Sequence, residues 1–252
     1  MKKILALVLT LTMICGMLVS CANVESMIAK ADAALQEAPY TINMKMNFEC
    51  DDKKLSSIFS AMNMEFPITV DGKDIAMDIS MEVMGYSADV KMIVADMVMY
   101  YDVNVLGQSV KMKATMTDEE YKEFAEENNT EMAVKPEDFG KLTVETKDGK
   151  KYITCSEISE EGLEELNDMM KKTLETVNGK AEVSNVAYTI ILNKGKYEAM
   201  DMTCSYSVTV GGETFKVTMK MNAEYSYDNV AEITAPQDAG KYQEVKFSDL
   251  MK

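Results

Sequence analysis

Residues 74–116 read DIAMDISMEVMGYSADVKMIVADMVMYYDVNVLGQSVKMKATM, and their periodicity decides the fold. Apolar residues take every second position: Ile75, Met77, Ile79, Met81 and Val83, then Tyr86, Ala88, Val90, Met92 and Val94. Met97, Met99, Tyr101, Val103 and Val105 follow in the same phase, and Val110, Met112, Ala114 and Met116 close the stretch. A period of two sends alternate side chains to opposite faces of a strand. Gly85 and Gly107 stand between runs as turns. The stretch therefore predicts a meander of antiparallel strands with one apolar face and one polar face.

The same pattern continues on both sides. Ile42, Met44, Met46, Phe48 and Cys50 alternate with polar residues, and Asp71-Gly72 is a tight hairpin signal. Leu142 to Thr146 and Tyr152 to Ile158 flank a second such pair, Asp148-Gly149. Strands follow at Val186–Leu192, Met200–Val210 and Phe215–Tyr227, separated by turns at Asn193–Gly195 and Gly211-Gly212.

Three helices interrupt the strands. Val24, Met27, Ile28, Ala31 and Leu35 recur at helical spacing over 24–37, with Asn23 placed to cap and Pro39 to stop. Thr117 and Glu120 form a capping box that opens a helix over 118–128. Ser159 opens a third, with Leu163, Leu166, Met170, Leu174 and Val177 as its stripe and Gly179 at its end. Leu55, Ile58, Phe59 and Met62 are spaced for a helical turn within an ambiguous segment, and 129–140 read as a loop. The tail from Pro236 is expected to pack over one end through Tyr242, Val245 and Phe247. With no Pro- or Ser-rich linker and no composition break, the mature chain reads as one domain.

The fold class is thus α+β, mainly β: a single curled antiparallel sheet, a half-barrel of about ten or eleven strands capped by about three helices. The curl comes from arithmetic. Strands about 4.8 Å apart make a flat sheet roughly 50 Å wide, whereas three helices about 10 Å across cover roughly 30 Å. Either the apolar face meets itself by curling or part of it stays open.

The N-terminus sets the compartment. Lys2 and Lys3 precede the apolar run Ile4–Val19, about sixteen residues, short of the roughly twenty needed to span a bilayer. Residues 1–20 read as a secretory signal. Leu18-Val19-Ser20-Cys21 resembles the lipobox of bacterial lipoproteins, which implies lipidation of Cys21. The resemblance implies a mature domain at 21–252, extracytoplasmic and held to the membrane by the lipid on Cys21, where two acyl chains at about 0.8 kcal/mol per methylene suffice. With almost no linker before the first helix, the body would sit close to the membrane.

Lipobox, amphipathic first helix, long meander, mid-chain helices and closing strands together resemble the LolA/LppX-type lipoprotein superfamily. That resemblance covers essentially the whole mature chain and is one of pattern. It implies a helix-capped half-barrel that holds acyl chains. The superfamily has no short motif to match here, so no binding residue carries over. The chain is also similar to uncharacterised lipoproteins of low-GC anaerobes.

Composition narrows the chemistry. Without the two signal lysines, 24 lysines stand against 42 acidic residues, a net charge of −18, which disfavours nucleic acid. There is no histidine, arginine or tryptophan, so Ser-His-Asp and Cys-His devices are impossible. No metal-ligand cluster, P-loop or dinucleotide fingerprint occurs, and the expectation is a non-enzyme without cofactor or metal. Asp51-Asp52 and Glu119-Glu120 are adjacent acids in a turn and a helix start rather than a glycosidase pair. Cys50, Cys155 and Cys204 lie in strand patterns and read as small buried hydrophobes, with no pairing deducible from spacing.

Methionine is the anomaly, with 21 residues after the signal. Met44, Met46, Met77, Met81, Met99, Met202, Met219 and Met221 are the candidate cavity lining, with Met92, Met97 and Met112 in the same apolar phase. Methionine in a plain core is one reading and an adaptable lining for flexible apolar ligands another. A thioether copper site is a third, against which strand alternation already explains the positions. The expected function is binding, with or without transfer, of a hydrophobic or lipid ligand. The alternative is a ligand-free anchored module that contacts envelope proteins or polymers through its acidic surface.

Overall fold

The computed structural model describes residues 22–53, 56, 59, 63–83, 86–128, 142–174, 180–210 and 213–250. In chain order these form α1 (Ala22–Glu37), β1 (Tyr40–Cys50), β2 (Met64–Asp71), β3 (Asp74–Val83), β4 (Tyr86–Ala95), β5 (Val98–Val105) and β6 (Gln108–Thr115). Then come α2 (Asp118–Asn128), β7 (Leu142–Lys147), β8 (Lys150–Cys155) and α3 (Glu160–Leu174). The chain ends with β9 (Lys180–Asn193), β10 (Lys196–Val210), β11 (Glu213–Ser226), β12 (Gln243–Glu244) and α4 (Phe247–Leu250).

The strands hydrogen-bond in one twelve-stranded order, β12-β6-β5-β4-β3-β2-β1-β11-β10-β9-β8-β7. The ladders with described registers are antiparallel except β12 on β6. A strongly curled half-barrel of ten or eleven strands is corrected here to an open, mainly antiparallel sheet of twelve, whose ends are the different strands β12 and β7. The extra strand comes from the tail, where Gln243-Glu244 pair in parallel with Met112-Lys113 on β6.

The chain divides into two compact units that interleave in sequence. One comprises Met1–Ala34, Met46–Ser60 and Glu131–Ala223; the other comprises Leu35–Lys45, Ala61–Thr130 and Glu224–Lys252.

In the first unit β8, β9 and β10 form a long antiparallel ladder. The β9–β10 pairing shifts register between Ser205 and Tyr206, leaving Ser184 unpaired in the ladder as a bulge. Asn167 of α3 repairs that interruption: its Oδ1 accepts the Val183 N–H at 2.6 Å and its Nδ2 donates to the Val183 carbonyl at 3.1 Å. Ser159 Oγ accepts the Gly162 N–H at 3.1 Å, the expected N-terminal cap, and Leu166 is buried beneath α3. Helix α1 buries Val24 and Ala31, and Tyr197 donates to Asp32 at 2.7 Å. The Lys30 side chain lies where a Cβ on Gly195 (φ +80) would project. Asn23 lies inside this helix rather than capping it, because the helix begins at Ala22.

In the second unit β3 to β6 are the meander read from the sequence, and β2, which begins within the segment left ambiguous there, pairs with β3 across the Gly72 turn. Asp96-Met97, Leu106-Gly107 and the Gly72 turn adopt positive φ, as two-residue hairpins require. Met97 is therefore a turn residue rather than a strand residue (φ +63), with Ala95 paired to Val98. The β2–β3 ladder is broken between Glu65↔Ser80 and Ile68↔Met77, at Pro67, which has no N–H to donate. The capping box on α2 forms as expected: the Glu120 N–H donates to Thr117 Oγ1 at 3.2 Å and the Thr117 N–H to Glu120 Oε2 at 2.8 Å. This sets Tyr121 and Phe124 into a cluster with Val94, Met99 and Met116.

The tail straps the β6 edge. Tyr242 meets Tyr100 edge-on at 5.4 Å, β12 pairs with Met112-Lys113, and the Val245 N–H donates to the Lys113 carbonyl at 2.9 Å. Phe247 of α4 then meets Phe124 edge-on at 6.2 Å. Lys111 bridges Asp102 at 3.1 Å and Asp238 at 2.7 Å. These carboxylates, Asp238 first, raise the Lys111 ammonium, and Lys111 in turn holds Asp238 below the usual carboxylate range. Tyr242, Val245 and Phe247 are thus all seated as the sequence suggests.

Ser56 and Phe59 are helical, while Leu55, Ile58 and Met62 lie outside the described residues, as do 129–141, Val177, Gly179, the Gly85 and Gly211-Gly212 turns and residues 1–21.

Leu106 is 62% exposed at φ +56, a conformation that costs an ordinary residue about 1 kcal/mol and that asparagine tolerates. Leu106→Asn is expected to stabilise the protein by about that amount, read as a higher midpoint in chemical denaturation; an unchanged or lower midpoint contradicts the turn geometry.

Candidate functional site

Strand register assembles the methionines. On the outward face Ser205 meets Thr218 (3.4 Å), Thr209 meets Thr214 (2.9 Å) and Asn222 donates to Asp201 (2.9 Å). All three fit one register, in which paired numbers add to 423, so Met202 opposes Met221 and Cys204 opposes Met219. The Asp51 N–H donates to the Lys216 carbonyl at 3.1 Å, which aligns Met46 and Phe48 with Met221 and Met219. Across β10–β9–β8, Met202 faces Tyr188 and Tyr188 faces Cys155. One row, Met46–Met221–Met202–Tyr188–Cys155, therefore crosses five strands, a span of about 19 Å.

Every member of that row is buried. Burial raises the Tyr188 phenol far above its usual range, with Cys155 beside it contributing, and likewise raises Tyr206. The Cys204 thiol is pushed up to about 12 by burial. Cys155 Sγ donates to the Glu157 carbonyl at 3.2 Å. Cys50, Cys155 and Cys204 are free thiols. Met46, Met202, Met219 and Met221 are thus brought together in the first unit as close neighbours on one face.

The remaining candidates lie in the second unit. Met44 on β1, Met77 on β3 and Met99 on β5 are buried, and Met81 on β3 is half-buried. Two parallel rows run across β2–β6. The row Val70–Ile75–Val94–Met99–Ala114 lies against α2, with Val94, Met99 and Ala114 buried. The next row is Ile68–Met77–Met92–Tyr101–Met112, in which Ile68, Met92, Tyr101 and Met112 are only half-buried. In the row beyond it, Ile79–Val90–Val103–Val110, Ile79 and Val103 are buried, Val90 is half-buried and Val110 is exposed. A half-open apolar strip therefore lies beside the α2-covered row and continues towards exposed Val110 on β6. Met92 and Met112 were in the apolar phase of the sequence; Tyr101 was too, but nothing in alternation alone singles it out.

Among the described residues the strip consists of aliphatic side chains, thioethers and the one phenol of Tyr101. The β2–β6 face that carries it holds no charged residue, because Asp78, Asp89, Lys91, Asp102, Lys111 and Lys113 all fall on the opposite parity. Among the described residues no group of three or more His, Cys, Asp or Glu could hold a metal ion, and no helix is long and apolar enough to cross a membrane.

A known family matches the chain over residues 21–244. The chain belongs to the DUF6612 family, a family of unknown function. No curated protein matches this DUF6612 chain. Among solved structures, a dehydratase domain from the CurJ module of curacin polyketide synthase aligns over 81% of each chain at 7% identity, with a TM-score of 0.13. A score that low supports no argument about fold or activity.

A thiol pushed up to about 12 stays protonated at pH 8, and the thiolate is the reactive form. Site-resolved alkylation by iodoacetamide at pH 8 is expected to modify half-buried Cys50 well before Cys204 and Cys155, which become reactive on denaturation. Equal native labelling of all three contradicts the buried row.

Proposed function

We propose that this DUF6612 protein is an extracytoplasmic lipoprotein, anchored through Cys21, that binds a hydrophobic or lipid ligand on the apolar face of its sheet. The observation that carries the reading is the uncharged, half-open row Ile68–Met77–Met92–Tyr101–Met112, in which only Met77 is buried, continued by half-buried Val90 and exposed Val110 in the next row. Methionine suits such a surface because it is unbranched and adapts to flexible chains. A strip of this kind excludes water from an apolar ligand, and burial yields about 25 cal/mol per Å² of apolar area. Holding a ligand this way is also what the pattern resemblance to LolA/LppX-type lipoproteins implies. The anchor is supported by the signal and lipobox pattern, and the family match begins at Cys21.

Two experiments test the two halves. Cys21→Ser is expected to move the protein from the membrane to the soluble fraction, and mass spectrometry of the native N-terminal peptide is expected to find a diacylglyceryl thioether. An unmodified, membrane-free Cys21 overturns the anchor.

For the ligand, protein purified without detergent is expected to release lipid into organic solvent and to enhance the fluorescence of the uncharged probe N-phenyl-1-naphthylamine. Burying a lone carboxylate costs several kcal/mol, so Met92→Asp is expected to weaken probe binding tenfold or more. No lipid and no probe uptake overturns the binding reading and leaves the acidic surface as the functional face.

A further inference from the structure

Resting on that reading, we propose that the Tyr101 hydroxyl is the specificity determinant of the strip and that its ligand is an uncharged long-chain ester rather than a free fatty acid. Tyr101 stands between Met92 on β4 and Met112 on β6 in one cross-strand row. Its neighbours along β5 on the same face, Met99 and Val103, are both buried. The phenol is therefore a half-buried polar group among the apolar side chains of Met92, Met99, Val103 and Met112.

Three observations converge on what it recognises. First, among the described residues the Tyr101 hydroxyl has no hydrogen-bond partner, unlike Tyr121, which donates to the Lys73 carbonyl at 2.9 Å, and Tyr197, which donates to Asp32. A part-buried hydroxyl gains by finding an acceptor. Second, burial raises the Tyr101 phenol above its usual range, so it remains a donor throughout the physiological range. Third, the lysines of β4 and β6 point to the other face: Lys91 pairs with Asp78 at 2.8 Å, and Lys111 and Lys113 pair with Asp102, Asp238 and Glu244. Among the described residues a carboxylate beside Tyr101 would find one neutral donor and no cation on the strands of the strip. The Lys73 ammonium lies instead over the Tyr121 ring at 5.3 Å, and an unpaired buried charge is costly. An ester carbonyl satisfies the phenol and brings no charge. Complementarity thus selects an uncharged acceptor on a long apolar chain.

Displacement of N-phenyl-1-naphthylamine by methyl laurate, laurate and dodecane at pH 8 tests this on the full chain. Methyl laurate is expected to compete best, laurate at least tenfold more weakly. Tyr101→Phe is expected to weaken methyl laurate about three- to tenfold while leaving dodecane unchanged, because the alkane offers no acceptor. Dodecane binding also reports that the variant is folded. Laurate competing as well as its ester, or Tyr101→Phe leaving the ester unchanged, overturns this inference while the apolar site stands. Failure of all three compounds to displace the probe, or absence of probe binding, overturns the binding reading itself and the inference with it.

Discussion

Everything in this molecule depends on cross-strand register. Strand side chains alternate with a period of two, so slipping one pairing by a single residue would send its apolar set to the other face. The hairpins prevent that. Asp96-Met97, Leu106-Gly107, Asp148-Gly149 and Lys194-Gly195 hold positive φ at both turn residues, the twist that matches right-handed strands. With the turns at 96–97 and 106–107 fixed, Met92 must face Tyr101 and Tyr101 must face Met112; Met77 faces Met92 on the other side. The rows of methionine are a consequence of turn geometry as much as of composition.

Register also explains where the polar groups go. The outward positions pair charges across strands, as in Lys91–Asp78 and Lys220–Glu49, and hydroxyls, as in Thr154–Thr189. Exposed pairs of this kind contribute little stability each. Their larger consequence is that they keep every lysine of β4 and β6 off the helix-covered face, which leaves the apolar strip electrically bare. One ladder rule thus produces both the core and the character of the candidate site.

Much of this was legible before any coordinates. Alternation located β1, β3, β4, β8 and the three long closing strands, and the capping box Thr117–Glu120 marked the start of α2 within one residue. What was hidden was hidden for identifiable reasons. Met97 carries the apolar phase of β5 but sits in a turn, because Asp96-Met97 lacks the glycine or asparagine that usually advertises one. β12 is two residues long, too short for any periodicity, and exists because Lys111 and Lys113 pin the tail against β6. Asn167 reads as an ordinary polar helix residue; its role against the β9 bulge depends on a register shift at Ser205/Tyr206 that no local pattern encodes. The methionine candidates were legible as one apolar phase, whereas their division between a buried row in one unit and a half-open strip in the other depends on which helices lie above them.

That division bears on what methionine is for. In the first unit the methionines stack into a row whose members are all nearly inaccessible, and there an unbranched side chain does what leucine would do. In the second unit α2 and α4 bring Tyr121, Phe124, Phe247 and Leu250 onto the row at Val94 and Met99. Helix α4 is four residues long, and none of its own residues is buried. A lid so short cannot shield the next row at Met92, Tyr101 and Met112. Side chains there must tolerate both water and an apolar partner, which a polarizable thioether and an amphipathic phenol do better than a branched aliphatic residue. The same residue type therefore answers two constraints, tight packing where cover is complete and adaptability where cover stops.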